Sequence, residues 1–498
     1  MAASYLTQAE LEAQLSGNGG NLDPAVQQAI LDTLYGNAGT NAWIEETDTV
    51  DTIDTETEAL DFTGTSAVVD TDTAPNLSVV IGDNAAGTNI TVVGTDTERS
   101  VLLAGGVGND SLSLYDAAAS TVLAGSGDDY VVVGSGDSVS GGEGADTLVS
   151  VSSVDGAILD GDAGSDLLVG GAGADSLYGG DDNDVLVAGS GSQLLSGDGG
   201  DDFLADWGTS GGSTLDGGEG SDTIYGAGSD TLFGGTGNDS LVSGSDTLDS
   251  ALLDGEAGDD TLIGGAGADS LYGGDDNDLL VAGSGTGQLL DGGTGSDTLY
   301  GFGSDELHGG DGADSVVSWS STGVGAELYG DAGDDTLVAG AGADSLYGGG
   351  DDDLIVGGSG ADQYLSGGDG DDRIVDYTSG ASTLDGGDGN DWLTGSGDDT
   401  LDGGIGNDTL ESTGGAESLV GGAGDDTFLV QSQTSADTID GGADNDVVVF
   451  EGRATTDVGD ISYDSGTGYY TLTFTDGQTI EIKDVETLVF TDDTRTLS

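Results

Sequence analysis

An aspartate recurs about every nineteen residues along most of this chain, and this spacing constrains the fold more than any other feature. Each of these residues closes a six-residue stretch of the type Gly-Gly-x-Gly-x-Asp, and two positions later stands Leu, Ile, Val or Phe. The gaps run from 17 to 21 residues, with a mean of (446 − 110)/18, or 18.7. The nineteen repeated aspartates are Asp110, Asp129, Asp146, Asp166, Asp184, Asp202, Asp222, Asp239, Asp260, Asp278, Asp297, Asp314, Asp335, Asp353, Asp372, Asp391, Asp408, Asp426 and Asp446.

The residues around each aspartate predict a tight turn followed by a short strand. Glycine adopts positive φ and allows close backbone approach at little cost, which a turn of this density requires. In Thr261-Leu262-Ile263 the side chains alternate as in a strand, so Leu262 can point inward. A single unit cannot bury its own apolar residue, so we expect the units to stack into a solenoid.

Stacking places the repeated aspartates in a ladder along one edge, with a rung spacing of about 4.8 Å. Carboxylates this close repel one another strongly in a low-dielectric setting unless cations lie between them. Carboxylate and turn carbonyl oxygens are hard ligands, and a flexible cage of many oxygens favours Ca²⁺ over Mg²⁺. The nineteen aspartates are therefore predicted metal ligands, with roughly one Ca²⁺ for each stacked turn of this edge.

The repeat resembles the RTX, or haemolysin-type calcium-binding, nonapeptide G-G-x-G-x-D-x-U-x. Matches include residues 105–110, 234–239 and 403–408, and the resemblance extends over 105–450. It implies an all-β fold, a right-handed parallel β-roll with Ca²⁺ in its turns. Nineteen coils at about 4.8 Å each give an expected length on the order of 90 Å.

A coil of such a roll contains two turns, so the turns between the nineteen repeats are expected on the opposite edge. Some keep the motif, and their aspartates are further predicted metal ligands: Asp175, Asp269, Asp344 and Asp362. Others carry Gln193, Gln288 or Glu417 near that position. The remainder are longer Ser-, Thr- and Gly-rich segments at 150–160, 206–216, 243–254, 318–329, 376–385 and 431–440. The sequence thus predicts one continuous calcium ladder and one irregular edge that carries loops.

The chain divides into four predicted parts, which are 1–40, 41–104, 105–450 and 451–498. The first is helical, with helix starts at Thr7 and at Asp23-Pro24, and it either caps the roll or binds a neighbouring subunit or the cell envelope. The second is an acidic linker followed by strands without calcium motifs. The third is the β-roll. The last is a β-hairpin cap with strands over 469–474 and 479–483.

The charge of the chain excludes several partners. It has 95 acidic and 5 basic residues, for a net charge of −90, so we expect no binding to nucleic acid or to an anionic membrane. Self-repulsion should keep the metal-free chain expanded.

There is no Cys, and no apolar run approaches the roughly 18 residues of a membrane-spanning helix, so membrane insertion is not expected. Bound calcium is predicted to stabilise the fold in place of disulfides.

Localisation outside the cell follows from the predicted ion and from the resemblance. Extracellular calcium is high enough to fill weak sites, whereas cytosolic calcium is not. The N-terminus lacks the basic region and apolar core of a cleaved signal peptide. RTX proteins are typically exported unfolded by type I secretion machinery through an uncleaved C-terminal signal. Residues 485–492 resemble the "VExLxFxDG" ending of such proteins, except that Asp493 stands where Gly is usual.

The residues favour a structural role over catalysis. His308 is the one histidine, there is no H-E-x-x-H motif, and the parts outside the repeats are too small for the usual catalytic domain, so no enzyme is predicted. We expect a secreted calcium-binding protein that forms a homo-oligomer or polymer in a surface layer, filament or matrix. A calcium-dependent adhesin is the first alternative, and an ice-binding roll or a secreted hydrolase fits less well. The candidates for recognition are Trp207, Trp319 and Tyr377, which either form an exposed aromatic ridge suited to subunit contacts or fold inward to fill space where a strand is irregular.

Overall fold

A computed structural model describes residues 4–7, 41–47, 59–62 and 65–497, apart from 73–76, 83, 96–98, 116–117, 135, 209–211, 245–248, 322 and 432–434. The chain forms two compact units, residues 1–245 and 246–498. Each unit is a parallel β-solenoid, as the repeat predicts. The first contains the coils of Asp110 to Asp239, and the second contains those of Asp260 to Asp446.

Every full coil follows the same path. A six-residue strand such as Ile158–Ala163 runs into the glycine turn, and we call it the pre-turn strand. The repeated aspartate follows, here Asp166, and then a short post-turn strand, Leu167–Val169. The next segment crosses the opposite edge and leads into the following pre-turn strand. Pre-turn strands therefore stack into one sheet of each unit and post-turn strands into the other.

In the first unit, the pre-turn sheet opens with two antiparallel strands and then continues in parallel. Its strands are Ser4–Thr7, Asn41–Thr47, Ala59–Phe62, Val79–Gly82, Leu102–Val107, Thr121–Ser126, Ser138–Glu143, Ile158–Ala163, Ser176–Asp181, Leu194–Gly199, Thr214–Glu219 and Thr231–Thr236. The post-turn strands are Ala67–Asp70, Asn89–Val93, Ser111–Tyr115, Tyr130–Val133, Thr147–Ser150, Leu167–Val169, Val185–Val187, Phe203–Ala205, Thr223–Gly226 and Ser240–Ser243.

In the second unit, the parallel stack ends in antiparallel strands on both sheets. The pre-turn sheet contains Leu252–Ala257, Ser270–Asp275, Leu289–Thr294, Glu306–Asp311, Glu327–Ala332, Ser345–Gly350, Tyr364–Asp369, Thr383–Asp388, Thr400–Ile405, Ser418–Ala423, Ala436–Ala443, Thr479–Lys483, Tyr470–Phe474 and Val458–Tyr463. The post-turn sheet contains Thr261–Ile263, Leu279–Val281, Thr298–Gly301, Ser315–Ser318, Thr336–Val338, Leu354–Val356, Arg373–Val375, Trp392–Gly395, Thr409–Ser412, Thr427–Val430, Val447–Phe450, Thr487–Val489 and Thr494–Thr496.

The core of each unit is a column of aliphatic side chains between the two sheets. Leu177 pairs in register with Leu159 and Leu195 in the neighbouring coils, and all three are fully buried. Leu262, predicted to point inward, is also fully buried. Burying one such leucine contributes about 1.5–3 kcal/mol. The interior is one side chain thick, so every coil depends on its neighbours to cover its leucine.

The two ends of the chain test the predicted caps. Among the described residues there is no α-helix; a 3₁₀ turn at Thr455–Asp457 is the one helical element there. The predicted N-terminal helices lie in 8–40, outside the described residues, whereas Ser4–Thr7 is a strand that pairs with Asn41–Thr47. The C-terminal hairpin is confirmed, with Tyr470–Phe474 antiparallel to Thr479–Lys483. None of the described residues form a helix long and apolar enough to cross a bilayer.

Candidate metal-binding edges

The repeated aspartates are buried, and within each unit they form a hydrogen-bonded ladder that we call the first edge. Within each unit, the backbone N–H of every repeated aspartate except the last donates to Oδ1 of the aspartate in the next coil. The distance is 2.6 Å from Asp146 to Asp166 and 2.7 Å from Asp278 to Asp297. Hydrogen bonds to a carboxylate are stronger than neutral ones, so each rung helps to hold the register of the next coil.

The second oxygen of these carboxylates is available for a ligand. In the residues named below, Oδ2 is buried and accepts no hydrogen bond from any described residue. Since a buried acceptor without a partner is costly, such an atom requires an explanation. The residues are Asp110, Asp129, Asp146, Asp166, Asp184, Asp202, Asp222, Asp278, Asp297, Asp314, Asp335, Asp353, Asp372, Asp391, Asp408, Asp426 and Asp446.

The first residue of the motif forms the wall against which Oδ2 lies, and it is glycine in every repeat except that of Asp129, where Ala124 occupies the position. A Cβ atom at Gly273 would lie less than 3.0 Å from both Asp278 Oδ2 and the Gly292 carbonyl oxygen. The same holds at Gly141, with Asp146 Oδ2 and the Gly161 carbonyl oxygen. At these two turns a carboxylate oxygen and a glycine carbonyl oxygen therefore border the same space, and oxygens of these kinds are ligands that Ca²⁺ prefers. No cluster of three His, Cys, Asp or Glu side chains that could hold a metal occurs in the described residues.

The electrostatics of the ladder favour a bound cation. Burial, with a smaller contribution from the neighbouring Asp297 carboxylate, raises the pKa of the Asp278 carboxyl from 3.8 to about 7. The pKa of Asp353 is raised to about 8 by the same causes, with burial the largest. The N–H of the preceding rung lowers each pKa but does not offset burial. A cation beside Oδ2 would restore the charged form.

A second, exposed row of side chains accompanies the ladder, one residue before each aspartate. Asp259 Oδ1 accepts the N–H of Asn277 at 3.0 Å, and Asn277 Oδ1 accepts the N–H of Ser296 at 2.9 Å. Asn, Asp and Ser at this position each offer a short side-chain acceptor, whereas Ala145 and Ala313 offer none.

Sequence reasoning missed the groups that end the ladder. At its start, the N–H and hydroxyl of Thr88 donate to Asp110 Oδ1 at 2.5 and 2.8 Å. At its end, the N–H of Asp446 donates to Glu486 Oε2 at 2.9 Å, so Glu486 occupies the position of a further rung. The signal was present, because Glu486-Thr487-Leu488-Val489 parallels the Asp-Thr-Leu-Val that begins at Asp146.

Comparison with known families decides the nature of these turns. The family of the RTX calcium-binding nonapeptide repeat, whose profile spans four copies, matches residues 160–192, 207–241, 254–289, 287–316, 329–364, 376–410, 411–429 and 430–452. The chain belongs to the RTX family. Its repeats are thus calcium-binding repeats, and the first-edge aspartates are the candidate ligands. The coils of Asp110, Asp129 and Asp146 precede the matched ranges but share the same geometry. No curated protein matches the chain.

The opposite edge of the RTX roll carries its own buried column, formed by the residue at the start of each pre-turn strand. Unlike the first edge, this column varies in side-chain type. Its members in the first unit are Ser120, Asp137, Ala157, Asp175, Gln193, Ser213 and Asp230. In the second unit they are Ala251, Asp269, Gln288, Asp305, Ala326, Asp344, Gln363, Ser382, Asp399, Glu417 and Asp437. The order Ala-Asp-Gln recurs around the near copies at 161–191, 255–285 and 330–360, with Ala just before each copy, Asp within it and Gln just after it.

The aspartates of this second edge differ from the ladder in how their oxygens are used. Asp175 Oδ1 accepts the N–H of Ala157 at 2.6 Å, and its Oδ2 accepts the N–H of Gly171 at 2.6 Å. Asp269 Oδ2 likewise accepts the N–H of Gly265 at 2.7 Å. The carboxylate oxygens of these aspartates therefore accept hydrogen bonds from backbone N–H groups, a role that does not require a metal.

Two further second-edge residues complete the predicted ligand set. Asp344 Oδ1 accepts the N–H of Ala326 at 2.8 Å, and the backbone N–H groups of Ala326 and Gly340 both oppose the rise in the Asp344 pKa that burial causes. The structure places Asp362 outside the column: it is exposed with φ of 60°, and the following Gln363 points inward instead. Asp344 thus resembles Asp175 and Asp269, whereas Asp362 lies outside the column.

The aromatic residues of the second edge point outward. Trp207, Trp319 and Tyr377 are 62%, 58% and 68% exposed. Trp207 stacks on Tyr225 with ring centroids 5.8 Å apart, and Trp319 packs against Tyr300 at 4.8 Å. In each pair the outer ring stands on the ring of a neighbouring coil, so its orientation is fixed while one face stays open to solvent.

Proposed function

We propose that this RTX protein is a secreted structural protein that folds on extracellular Ca²⁺ and assembles into a surface layer, filament or matrix. The observation that carries the proposal is the first-edge ladder. A buried row of carboxylates with raised pKa values is unfavourable without cations and favourable with them. An ion that binds the folded state alone stabilises it by mass action, so calcium acts as the folding switch.

The scaffold character of the chain supports assembly over catalysis. Almost all the described residues belong to stacked coils or to the strands that cover them, and the RTX solenoid is a structural and binding fold. His308 stacks on Tyr329 with ring centroids 4.4 Å apart, and its ring nitrogens meet Glu306 and Asp331. This is a surface arrangement on the outer face of a sheet, and no nucleophile is present in these contacts.

Negative-stain electron microscopy of the purified chain tests the assembly. The chain is imaged first in EDTA and then in millimolar calcium. Filaments or sheets that appear only with calcium support the proposal. Isolated rods in calcium would confirm folding but contradict self-assembly, and unchanged images in the two conditions would contradict the calcium switch.

Export through type I secretion machinery belongs to the same proposal. Deletion of residues 451–498 should retain the chain inside a host that carries a type I exporter, as measured by immunoblots of medium and cells. The deletion also removes strands that cover the roll, so the matched control is Asp446→Asn in the full chain. That variant disturbs the end of the ladder but keeps the segment, and it should still be exported.

A calcium-dependent adhesin is the second candidate, favoured by the exposed and fixed rings of Trp207 and Trp319. Aromatic rings with one open face are common at binding surfaces. Replacing both tryptophans with Ala should leave calcium-dependent folding intact. If assembly also survives but attachment to cells or to polysaccharide is lost, the adhesin is favoured over the structural protein.

A further inference from the structure

The side-chain amide of Gln363 on the second edge is fully used by its own glycine turn. Its Oε1 accepts the N–H of Gly358 at 3.0 Å. Its Nε2 donates to the carbonyl oxygens of Gly358 and Gly360, at 3.2 and 3.0 Å. The side chain is buried, so no solvent replaces these bonds. Two carbonyl oxygens of one turn therefore converge on a single neutral donor group.

Gln193 shows a related contact in the first unit. It is buried at the same column position, and its Nε2 donates to the carbonyl oxygen of Gly171 in the preceding coil at 3.0 Å. Converging carbonyl oxygens in a glycine turn are ligands that a hard cation would bind. An NH₂ group carries two partly positive hydrogens and can satisfy such oxygens without an ion.

We propose that the amides of Gln363 and Gln193 stand in for a cation, so that these second-edge turns become ordered without calcium. The inference rests on the proposed calcium-dependent folding, because it divides the turns into those that need the ion and those that do not. The first edge offers buried carboxylate oxygens without hydrogen-bond partners, as at Asp353, and its order depends on Ca²⁺. The glutamine turns supply their own positive partial charge.

The consequence is a roll with one edge partly preordered before the ion arrives. Ordering a turn costs conformational entropy, on the order of 1–2 kcal/mol for each residue fixed. In a turn whose polar groups bind its own side chain, calcium binding does not have to offset this conformational entropy. Calcium then has to order mainly the opposite edge, and fewer ions are needed than there are turns.

Gln363→Glu tests the inference in the full chain. Glu has nearly the same shape but cannot donate to the carbonyl oxygens of Gly358 and Gly360, and its carboxylate adds a third hard oxygen beside them. We expect this variant to bind one more Ca²⁺ per chain than the wild type, measured by equilibrium dialysis and metal analysis. In this variant, protection of residues 357–363 from amide hydrogen exchange should also require added calcium. The wild type should already be protected there at calcium concentrations that leave the variant unprotected.

Gln288→Glu is the matched control at the same column position. Gln288 Oε1 accepts the N–H of Gly283 at 3.1 Å, but its Nε2 has no hydrogen-bond partner among the described residues. Glu preserves the accepting oxygen there and removes no donated bond, so the number of bound ions should not change. Gln363→Met removes both donor and acceptor at similar length, and calcium should not restore protection of its turn.

The outcomes separate the inference from the proposed function. If the wild type binds no calcium, the proposed function itself fails. If the wild type binds calcium but Gln363→Glu takes up no additional ion, and its turn behaves like that of Gln363→Met at every calcium concentration, the cation substitution is overturned. An extra ion in both Gln363→Glu and Gln288→Glu would also overturn it, because the donated bonds would then have no role.

Discussion

At the scale of single residues, the two oxygens of a ladder carboxylate have different partners, and this difference predicts the effect of a substitution. Asp278→Asn keeps an acceptor for the N–H of Asp260 but removes the charge at the buried Oδ2. Hydrogen-bonded charged groups contribute about 1.5–3 kcal/mol. We therefore expect the calcium concentration at the folding midpoint to rise several-fold, as measured by far-UV circular dichroism during a calcium titration.

Asp276→Asn in the same turn is the control for that substitution. Asp276 is exposed and has φ of 78°, a conformation that Asn also tolerates. This substitution removes one negative charge, as Asp278→Asn does, but leaves every ladder carboxylate in place. A midpoint that moves equally in both variants would show that total charge, and not ligation by Asp278, controls folding.

The glycine that faces each carboxylate gives a second residue-scale prediction. Gly273→Ala would place a methyl group less than 3.0 Å from Asp278 Oδ2 and from the Gly292 carbonyl oxygen. Overpacking of this kind typically costs about 1–3 kcal/mol, so thermal unfolding in calcium should begin at a lower temperature. Gly350→Ala is the control, because no atom lies within 4 Å of the added Cβ there. Equal losses of stability in the two variants would contradict the proposed role of Gly273.

At the scale of elements, the strand after the last coil completes the ladder. Thr487–Val489 pairs in parallel with Val447–Phe450, and Glu486 accepts the N–H of Asp446. Glu486→Gln should raise the rate of amide hydrogen exchange over 479–490 in calcium, because the final rung loses its charged acceptor. The control is Glu481→Gln. Glu481 is exposed on the preceding strand, Thr479–Lys483, so this substitution should leave the exchange rate unchanged. Faster exchange in both variants would indicate a general charge effect.

Elements with the full motif could be predicted from the sequence, whereas those without it could not. The ladder and the strand after each aspartate follow from motif spacing and from one inward leucine per strand. The second edge does not, because a one-residue shift in a strand reverses which side chain points inward. Asp362 and Gln363 show this: the aspartate fits the motif, but the glutamine is buried. Glu486 was missed because no glycine turn precedes it.

At the scale of the whole molecule, burial of the ladder couples calcium to protons. The pKa values of Asp278 and Asp335 rise to about 7 and that of Asp353 to about 8, from 3.8, mainly because of burial. A raised carboxyl pKa means that the folded, metal-free chain binds more protons than the unfolded chain. These groups therefore stabilise the metal-free fold fully below about pH 4, and that contribution is lost as the pH rises through 7 to 8.

Acid should consequently replace calcium in part. In calcium-free buffer we expect β-sheet circular dichroism to increase as the pH falls from 8 to 5, since protons neutralise the ladder and reduce the net charge of −90. Calcium binding to the metal-free chain that has folded at pH 5 should release protons, measurable in weakly buffered solution, and the calcium affinity of that folded chain should fall on further acidification. Asp353→Asn should release fewer protons, whereas Asp371→Asn should not differ, because Asn390 holds the pKa of Asp371 below its usual value. Calcium uptake by the chain folded at pH 5 without proton release would mean that the ladder is already charged before the ion binds.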